Sequence, residues 1–324
     1  MRILLSILLL LLFLPDWSGE PRLPLLPRDA AIRAERVVLD RGDPNRVRVG
    51  GLTFLGGVAL SGRGAAFGGF SAMMVEGDRF TLLSDGGNII SFDMGQDWTP
   101  RAVRFAELPL GPGKGWHKRE RDSESLTRDP ATGQLWVGFE RANQIWRYAP
   151  RFARAERHVA PPAMAKWPSN GGAESLARLR DGRFVTLAED RKGSAKGTVR
   201  GLMFSTDPVL APQRGFAFSY RPPRGFKPTD MVELPDGRLA ILNRRFALST
   251  MFTATLTIVP RGAIRPGAIV AGREVARFEP PVLHDNFEAM AVTREGRDTI
   301  LWIASDDNQW WMQRSLLLKF RLEM

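Results

Sequence analysis

The stretch Glu124-Ser125-Leu126-Thr127-Arg128-Asp129-Pro130-Ala131-Thr132-Gly133-Gln134-Leu135-Trp136-Val137-Gly138-Phe139-Glu140 reads as one β-hairpin with an acid at each end. A polar turn separates two apolar runs, which is the local signature of antiparallel strands. Four more segments repeat the scheme. The first is Ser71-Ala72-Met73, turn Glu76-Gly77-Asp78, strand 80–84, then Asp85. The third is Glu174-Ser175-Leu176, turn Asp181-Gly182, strand 183–188, then Glu189. The fourth is Asp230-Met231-Val232, turn Asp236-Gly237, strand 238–242, then Asn243. The fifth is Glu288-Ala289-Met290, turn Glu295-Gly296, strand 300–304, then Ser305-Asp306-Asp307.

The repeats start at residues 71, 124, 174, 230 and 288, a spacing near that of kelch-type units. Further strands follow each hairpin, at 144–148, 201–205 and 215–220 for example. Four strands per repeat make a propeller blade. The expected fold is an all-β propeller of five blades, with a degenerate sixth left open. Strand 315–322 is a third strand for the last blade, and its fourth comes from residues 47–60. Ring closure thereby joins the two ends of the chain and removes free edges.

Composition limits the chemistry. The chain has 324 residues, a hydrophobic share ordinary for a globular protein, and 32 glycines with 23 prolines that suit a turn-rich fold. It has no cysteine, which excludes disulfides, thiolate metal sites, a cysteine nucleophile and a lipoprotein anchor. Three histidines argue against a His-rich zinc site. The net charge of +11 favours anionic partners. No basic run with interleaved aromatics resembles a nucleic-acid module, so no nucleic-acid partner is expected.

Residues 3–14 are apolar except Ser6, follow Arg2 and precede Pro15. This is a signal-peptide pattern, shorter than a bilayer span. Residues 1–19 read as a signal peptide or an uncleaved N-terminal anchor, 20–45 as a Pro-rich linker and 46–324 as the propeller. The expected location is periplasmic or secreted, with an inner-membrane tether as the alternative. No other membrane contact is expected, and the protein reads as a monomer.

A hairpin that leaves a rim and returns to it puts both terminal acids at that rim. Repetition around an axis gathers them at one mouth. Asp85, Glu124, Glu140, Glu174, Glu189, Asp230, Glu288 and Asp306 fall on the scheme. Such carboxylates repel unless cations, arginines or protons neutralise them. Hard oxygen donors favour Ca²⁺, with Mg²⁺ as the alternative. A purely structural reading is that each acid accepts backbone hydrogen bonds from the next blade. Lys114, His117, Lys118, Arg119 and Arg121 precede Glu124, and Asn243-Arg244-Arg245-Phe246 follows the fourth strand. These cations either clamp a phosphate or merely offset the acids. The enzymatic reading is a metal-dependent hydrolase of a small anionic substrate such as a phosphoester. It gives Glu124, Glu174 and Glu288 catalytic or ligand roles, and it makes Asp85, Glu140, Glu189, Asp230 and Asp306 metal ligands. Lys118, Arg244 and Arg245 are then the phosphate clamp. The other reading is a non-catalytic propeller that binds a cation, a glycan or an envelope protein. Trp310 and Trp311 read as packing residues, with ligand stacking as the alternative.

The sequence resembles the bacterial phytase-like family, "esterase-like activity of phytase". The resemblance rests on Asp122-Ser123-Glu124-Ser125-Leu126 with Phe139-Glu140, on Gly172-Ala173-Glu174-Ser175-Leu176, and on Pro228-Thr229-Asp230 with Arg244-Arg245-Phe246. It continues through Asp285-Asn286-Phe287-Glu288 to the tail Ser305-Asp306-Asp307-Asn308 and Gln313-Arg314-Ser315-Leu316-Leu317-Leu318. It implies an exported propeller with repeated acidic residues. Where the family usually has Glu before the arginine pair, this chain has Asn243.

Overall fold

In a computed structural model, described over residues 26, 30–64, 66–114 and 117–323, the strands form five antiparallel sheets arranged as the blades of a propeller. The segment read as a signal peptide or anchor lies outside the described residues. Blade 1 contains strands Phe70–Glu76, Arg79–Ser84, Asn88–Met94 and Pro100–Glu107. Blade 2 contains Ser123–Arg128, Leu135–Phe139, Gln144–Tyr148 and Ala155–Val159. Blade 3 contains Ala173–Arg178, Phe184–Lys192, Val199–Phe204 and Gly215–Arg221, with Ile269–Ala271 added in parallel at its edge. Blade 4 contains Lys227–Glu233, Leu239–Ala247, Met251–Val259 and Arg273–Phe278.

Blade 5 uses both ends of the chain. Phe287–Glu295, Asp298–Ser305 and Ser315–Leu322 come from the C-terminal side. Leu52–Gly62 then pairs with Ser315–Leu322, and Ile32–Arg36 pairs with Leu52–Gly62. The closure expected from residues 47–60 is therefore present. The fold starts earlier than expected, however: Ile32–Arg36 is a strand inside the segment 20–45 that reads as linker. Pro-rich composition before residue 30 masks a short apolar–polar alternation after it. Among the described residues no helix is long and apolar enough to cross a membrane.

The middle strands are apolar on both faces because each blade is covered by its neighbours on both sides. Leu135–Phe139 is buried at every position, as is nearly all of Asp298–Ser305. Apolar side chains gather into five clusters, one in each seam between adjacent blades. Ala72, Leu83, Val137 and Tyr148 join blades 1 and 2, and Leu256, Phe278, Phe287 and Leu318 join blades 4 and 5. Area burial of this kind stabilises by about 25 cal/mol per Å². Hairpin turns such as Asp181-Gly182 and Asp236-Gly237 occupy the rim opposite the mouth.

Candidate active site at the propeller mouth

Every blade breaks its innermost ladder at the same place. The register slips between Phe70 and Ala72, Ser123 and Ser125, Ala173 and Ser175, Pro228 and Asp230, and Phe287 and Ala289. The unpaired residues are Ser71, Glu124, Glu174, Thr229 and Glu288. A β-bulge bends its strand and re-aims a side chain. Here it turns five equivalent side chains toward the axis at the mouth.

The returning strand supplies a second equivalent position: Asp85, Glu140, Glu189, Arg244 and Asp306. The backbone fixes the equivalence. The amides of Asp85, Glu140, Glu189 and Asp306 donate to the carbonyls of Gly69, Asp122, Gly172 and Asn286. In blade 4, Arg244 pairs with Lys227 in the ladder. Each of those partners stands two residues before its bulge and forms a third tier: Gly69, Asp122, Gly172, Lys227 and Asn286.

This register corrects the fourth repeat. Its bulge residue is Thr229, not Asp230, and its returning residue is Arg244, not Asn243. Asp230 accepts hydrogen bonds from the Met231 amide at 2.7 Å and from the blade 5 Met290 amide at 2.6 Å. Both carboxylate oxygens thus serve the seam between blades 4 and 5. Asn243 is fully buried and accepts a hydrogen bond from the Tyr220 hydroxyl at 3.0 Å. Arg245 lies on the other face of its strand from Arg244, over the Phe226 ring at 4.9 Å, away from the carboxylates. The repeat pattern misplaced this blade because neither Thr229 nor Arg244 is acidic, and Asp230 beside them is.

The mouth is electrically polarised. Blade 2 is acidic at all three tiers, with Asp122, Glu124 and Glu140, and ligand oxygens of these three lie within 4.8 Å of one another. Blade 4 carries Lys227, Thr229 and Arg244. Arg244 donates to Glu288, to Glu189 at 2.9 Å and to Asn286 Oδ1 at 2.9 Å. Lys227 lies 3.3 Å from Glu189. In blade 1, Asp85 pairs with Lys118 at 2.7 Å through Oδ2, while its buried Oδ1 has no hydrogen-bond partner among the described residues.

Crowding shows in the protonation equilibria. Burial, then Glu174 and Asp122, push the Glu124 carboxyl well above its usual range. Burial and Glu189 do the same to Glu174, and burial with Glu288 to Asp306. Burial and Glu140 raise Asp122 to about 7, against the opposing charge of Arg141 at 2.8 Å. For Arg244, burial opposes the charge, but Glu288, Glu189 and Glu174 outweigh it and raise its pKa. Glu140 is held by backbone amides rather than by a cation. Its Oε1 accepts from the amides of Gly171 and Gly172 in blade 3. Gly171 has φ of +106°, and a Cβ there would stand 2.6 Å from that of Asp190.

A family model for phytase-like proteins, described as esterase-like activity of phytase, matches residues 65–309. The chain belongs to the phytase-like family. The match spans all five bulges of this phytase-like propeller and the returning residues Asp85 to Asp306. No curated protein matches the sequence. Among solved structures, the chain is similar to an endo-arabinase from Bacteroides thetaiotaomicron at 11% identity and TM-score 0.48, covering 78% of this chain and 93% of that one. A luciferin-regenerating enzyme is similar at 11% identity and TM-score 0.42, covering 88% and 95%. Hydrazine synthase of Kuenenia stuttgartiensis is similar at 12% identity and TM-score 0.40, covering 74% and 77%.

Asp122 is the site residue that the acid-pair scheme left out. Its signal was the run Asp122-x-Glu124, a second acid two residues before the bulge. Trp310 and Trp311, expected to pack, are instead exposed, Trp311 at 86%.

Proposed function

We propose that the protein is an exported phosphoester hydrolase dependent on a hard divalent cation, Ca²⁺ in preference to Mg²⁺. The observation that supports this is the polarity of the mouth, with three clustered acids on blade 2 and two cations on blade 4. Asp122, Glu124 and Glu140 would hold the cation. Two oxygens on one Ca²⁺, each about 2.4 Å away, can be at most about 4.8 Å apart, which suits the grouping of these three. A bound cation would polarise a phosphoryl oxygen and lower the pKa of a water.

The other roles belong to the chain's own side chains. Arg244 can present its guanidinium to a phosphate as a fork, a geometry that lysine lacks. Lys118 and Lys227 add positive charge on either side. Glu174 makes no side-chain hydrogen bond among the described residues, and burial with Glu189 raises its carboxyl. That combination suits a general acid or base. Glu288 orients Arg244, while Asp85 and Asp306 hold the electrostatic frame around it.

The test is hydrolysis of p-nitrophenyl phosphate and bis(p-nitrophenyl) phosphate by the full-length chain with Ca²⁺. Activity should vanish with chelator and in Glu124→Gln, and fall steeply in Glu174→Gln. An absence of hydrolysis for phosphate and carboxylate esters alike, with Ca²⁺, Mg²⁺ and Mn²⁺ each tried, would overturn the reading. A second reading, a propeller that binds a cation without catalysis, is favoured by the internal satisfaction of Glu140, Glu189 and Glu288. Calorimetric Ca²⁺ binding without turnover selects it.

A further inference from the structure

Two loops raise apolar side chains above the mouth. The blade 4 hairpin formed by Leu239–Ala247 and Met251–Val259 continues past Arg244 to its tip, with Ala247 paired to Met251. Phe246, Leu248 and Met251 are exposed there, Leu248 at 89%. Phe246 packs on Phe252 with ring centroids 5.1 Å apart, which stiffens the tip. In neighbouring blade 5, the loop between Asp298–Ser305 and Ser315–Leu322 exposes Trp310, Trp311 and Met312. Large apolar groups held in water on one face of a soluble protein call for something to cover them.

The charge on the same face indicates what covers them. Lys192, Lys196, Arg221 and Arg224 line a cleft of about 860 Å³ between the mouth ends of blades 3 and 4. None of the four has an ion-pair partner among the described residues. On the opposite rim Arg183 is paired with Asp181 at 2.9 Å and Arg238 with Asp236 at 2.6 Å.

The entry of the chain agrees. Ile32 pairs with Gly62, at the mouth end of the closing strand Leu52–Gly62, whose Leu60 pairs with Ser315. The described chain therefore enters the fold at its mouth end. Residues 15–31, between the apolar segment 3–14 and that entry, can span roughly 60 Å at most.

We propose that the mouth face docks on an anionic lipid bilayer. Leu248 and Trp311 enter the headgroup region, and the cleft cations face lipid phosphates. Apolar tips beside unpaired lysines and arginines are the composition of an interfacial membrane contact. A polypeptide partner would need matched acids, whereas a bilayer offers a planar field of phosphate to both loops at once. The inference does not depend on the hydrolase reading.

The lack of cysteine makes the test direct. Full-length Leu248→Cys, carrying an environment-sensitive fluorophore, is mixed with phosphatidylcholine vesicles with and without phosphatidylglycerol. The label should brighten and shift to the blue on anionic vesicles alone. A label at Arg297→Cys, on the opposite rim, should not respond. Joint reversal by Lys192→Glu, Lys196→Glu and Arg224→Glu should weaken binding by ~10-fold or more. An aqueous Leu248 label on vesicle-bound protein would show that the N-terminal segment alone tethers the chain, and it overturns the proposal. So does an equal response on neutral vesicles. So does a response that tracks protein concentration without vesicles, which would make the tips a self-association surface.

Discussion

Arg244 stands in blade 4 where Glu189 stands in blade 3, and the two side chains meet at 2.9 Å. One register position thus holds opposite charges in adjacent blades. This pairing is what lets so many carboxylates share one mouth. Removing the guanidinium leaves Glu288 buried without a counter-charge and leaves Glu189 with Lys227 alone. Arg244→Gln should therefore lose ~3–5 kcal/mol of stability at neutral pH. The loss should shrink at pH 5, where the Glu288 carboxyl, raised by burial, takes up a proton, and added Ca²⁺ should restore more stability to the variant than to the parent. Urea unfolding at both pH values, with and without Ca²⁺, measures this.

Asp230 supplies a pH dependence with a defined sign. Burial raises its carboxyl to about 8, against hydrogen bonds from the Met290 and Met231 amides that lower it. The folded value lies above the unfolded one. Stability from this group is therefore fully present below about pH 4 and is lost as pH rises toward 8. Relative to Asp230→Asn, the parent should lose about 3 kcal/mol between pH 5 and pH 8. Parallel stability profiles for the two proteins would mean that the amide donors outweigh burial and keep the carboxylate ionised.

Two seams are tied by hydroxyls where other blades carry acids. Ser71 Oγ donates to the Ser123 carbonyl at 2.5 Å, and Thr229 Oγ1 to the Phe287 carbonyl at 3.2 Å. Ser71→Ala and Thr229→Val should each cost about 1 kcal/mol, and the costs should add because the seams are separate. Denaturant midpoints of the single and double variants test the additivity.

The ring closure is sensitive to volume. A Cβ on Gly57 would stand 2.6 Å from Leu318 Cδ2 and 3.1 Å from the Leu317 carbonyl. Gly57→Val should destabilise by about 1–3 kcal/mol, while Gly262→Val, at a site with nothing within 4 Å, should leave the packing undisturbed. Thermal unfolding of the two variants gives the contrast.

Much of the fold was legible because hairpins are local. Asp181-Gly182 and Asp236-Gly237 between apolar runs define turns without knowledge of distant residues. Closure was legible too, since 315–322 lacked a partner and 47–60 had the right pattern. The bulges were not. An extra residue leaves no mark in a strand sequence, yet it moves every later side chain to the other face. In blades 2, 3 and 5 an acid at the bulge, and in blade 1 a serine, made the pattern readable. In blade 4 the acid at Asp230 lay one position further on and drew the alignment with it. Arg245 was misread for the same reason, because adjacent strand residues face opposite ways. The polarity of the mouth follows only once Thr229 and Arg244 are in register.

The shared fifth blade has a consequence for biogenesis. Its outer strands, Leu52–Gly62 and Ile32–Arg36, are synthesised first and must wait for Ser315–Leu322, the last strand of the chain. Blades 1 to 4 can collapse as they emerge, but the circle is completed only once Ser315–Leu322 has been synthesised. Contacts this distant in sequence form slowly, after a large loop-closure cost. Until then the acids from different blades are not gathered around one axis, so a nascent chain has no assembled mouth. Assembly of the mouth thus waits on the synthesis of a strand more than 250 residues after Leu52–Gly62 begins.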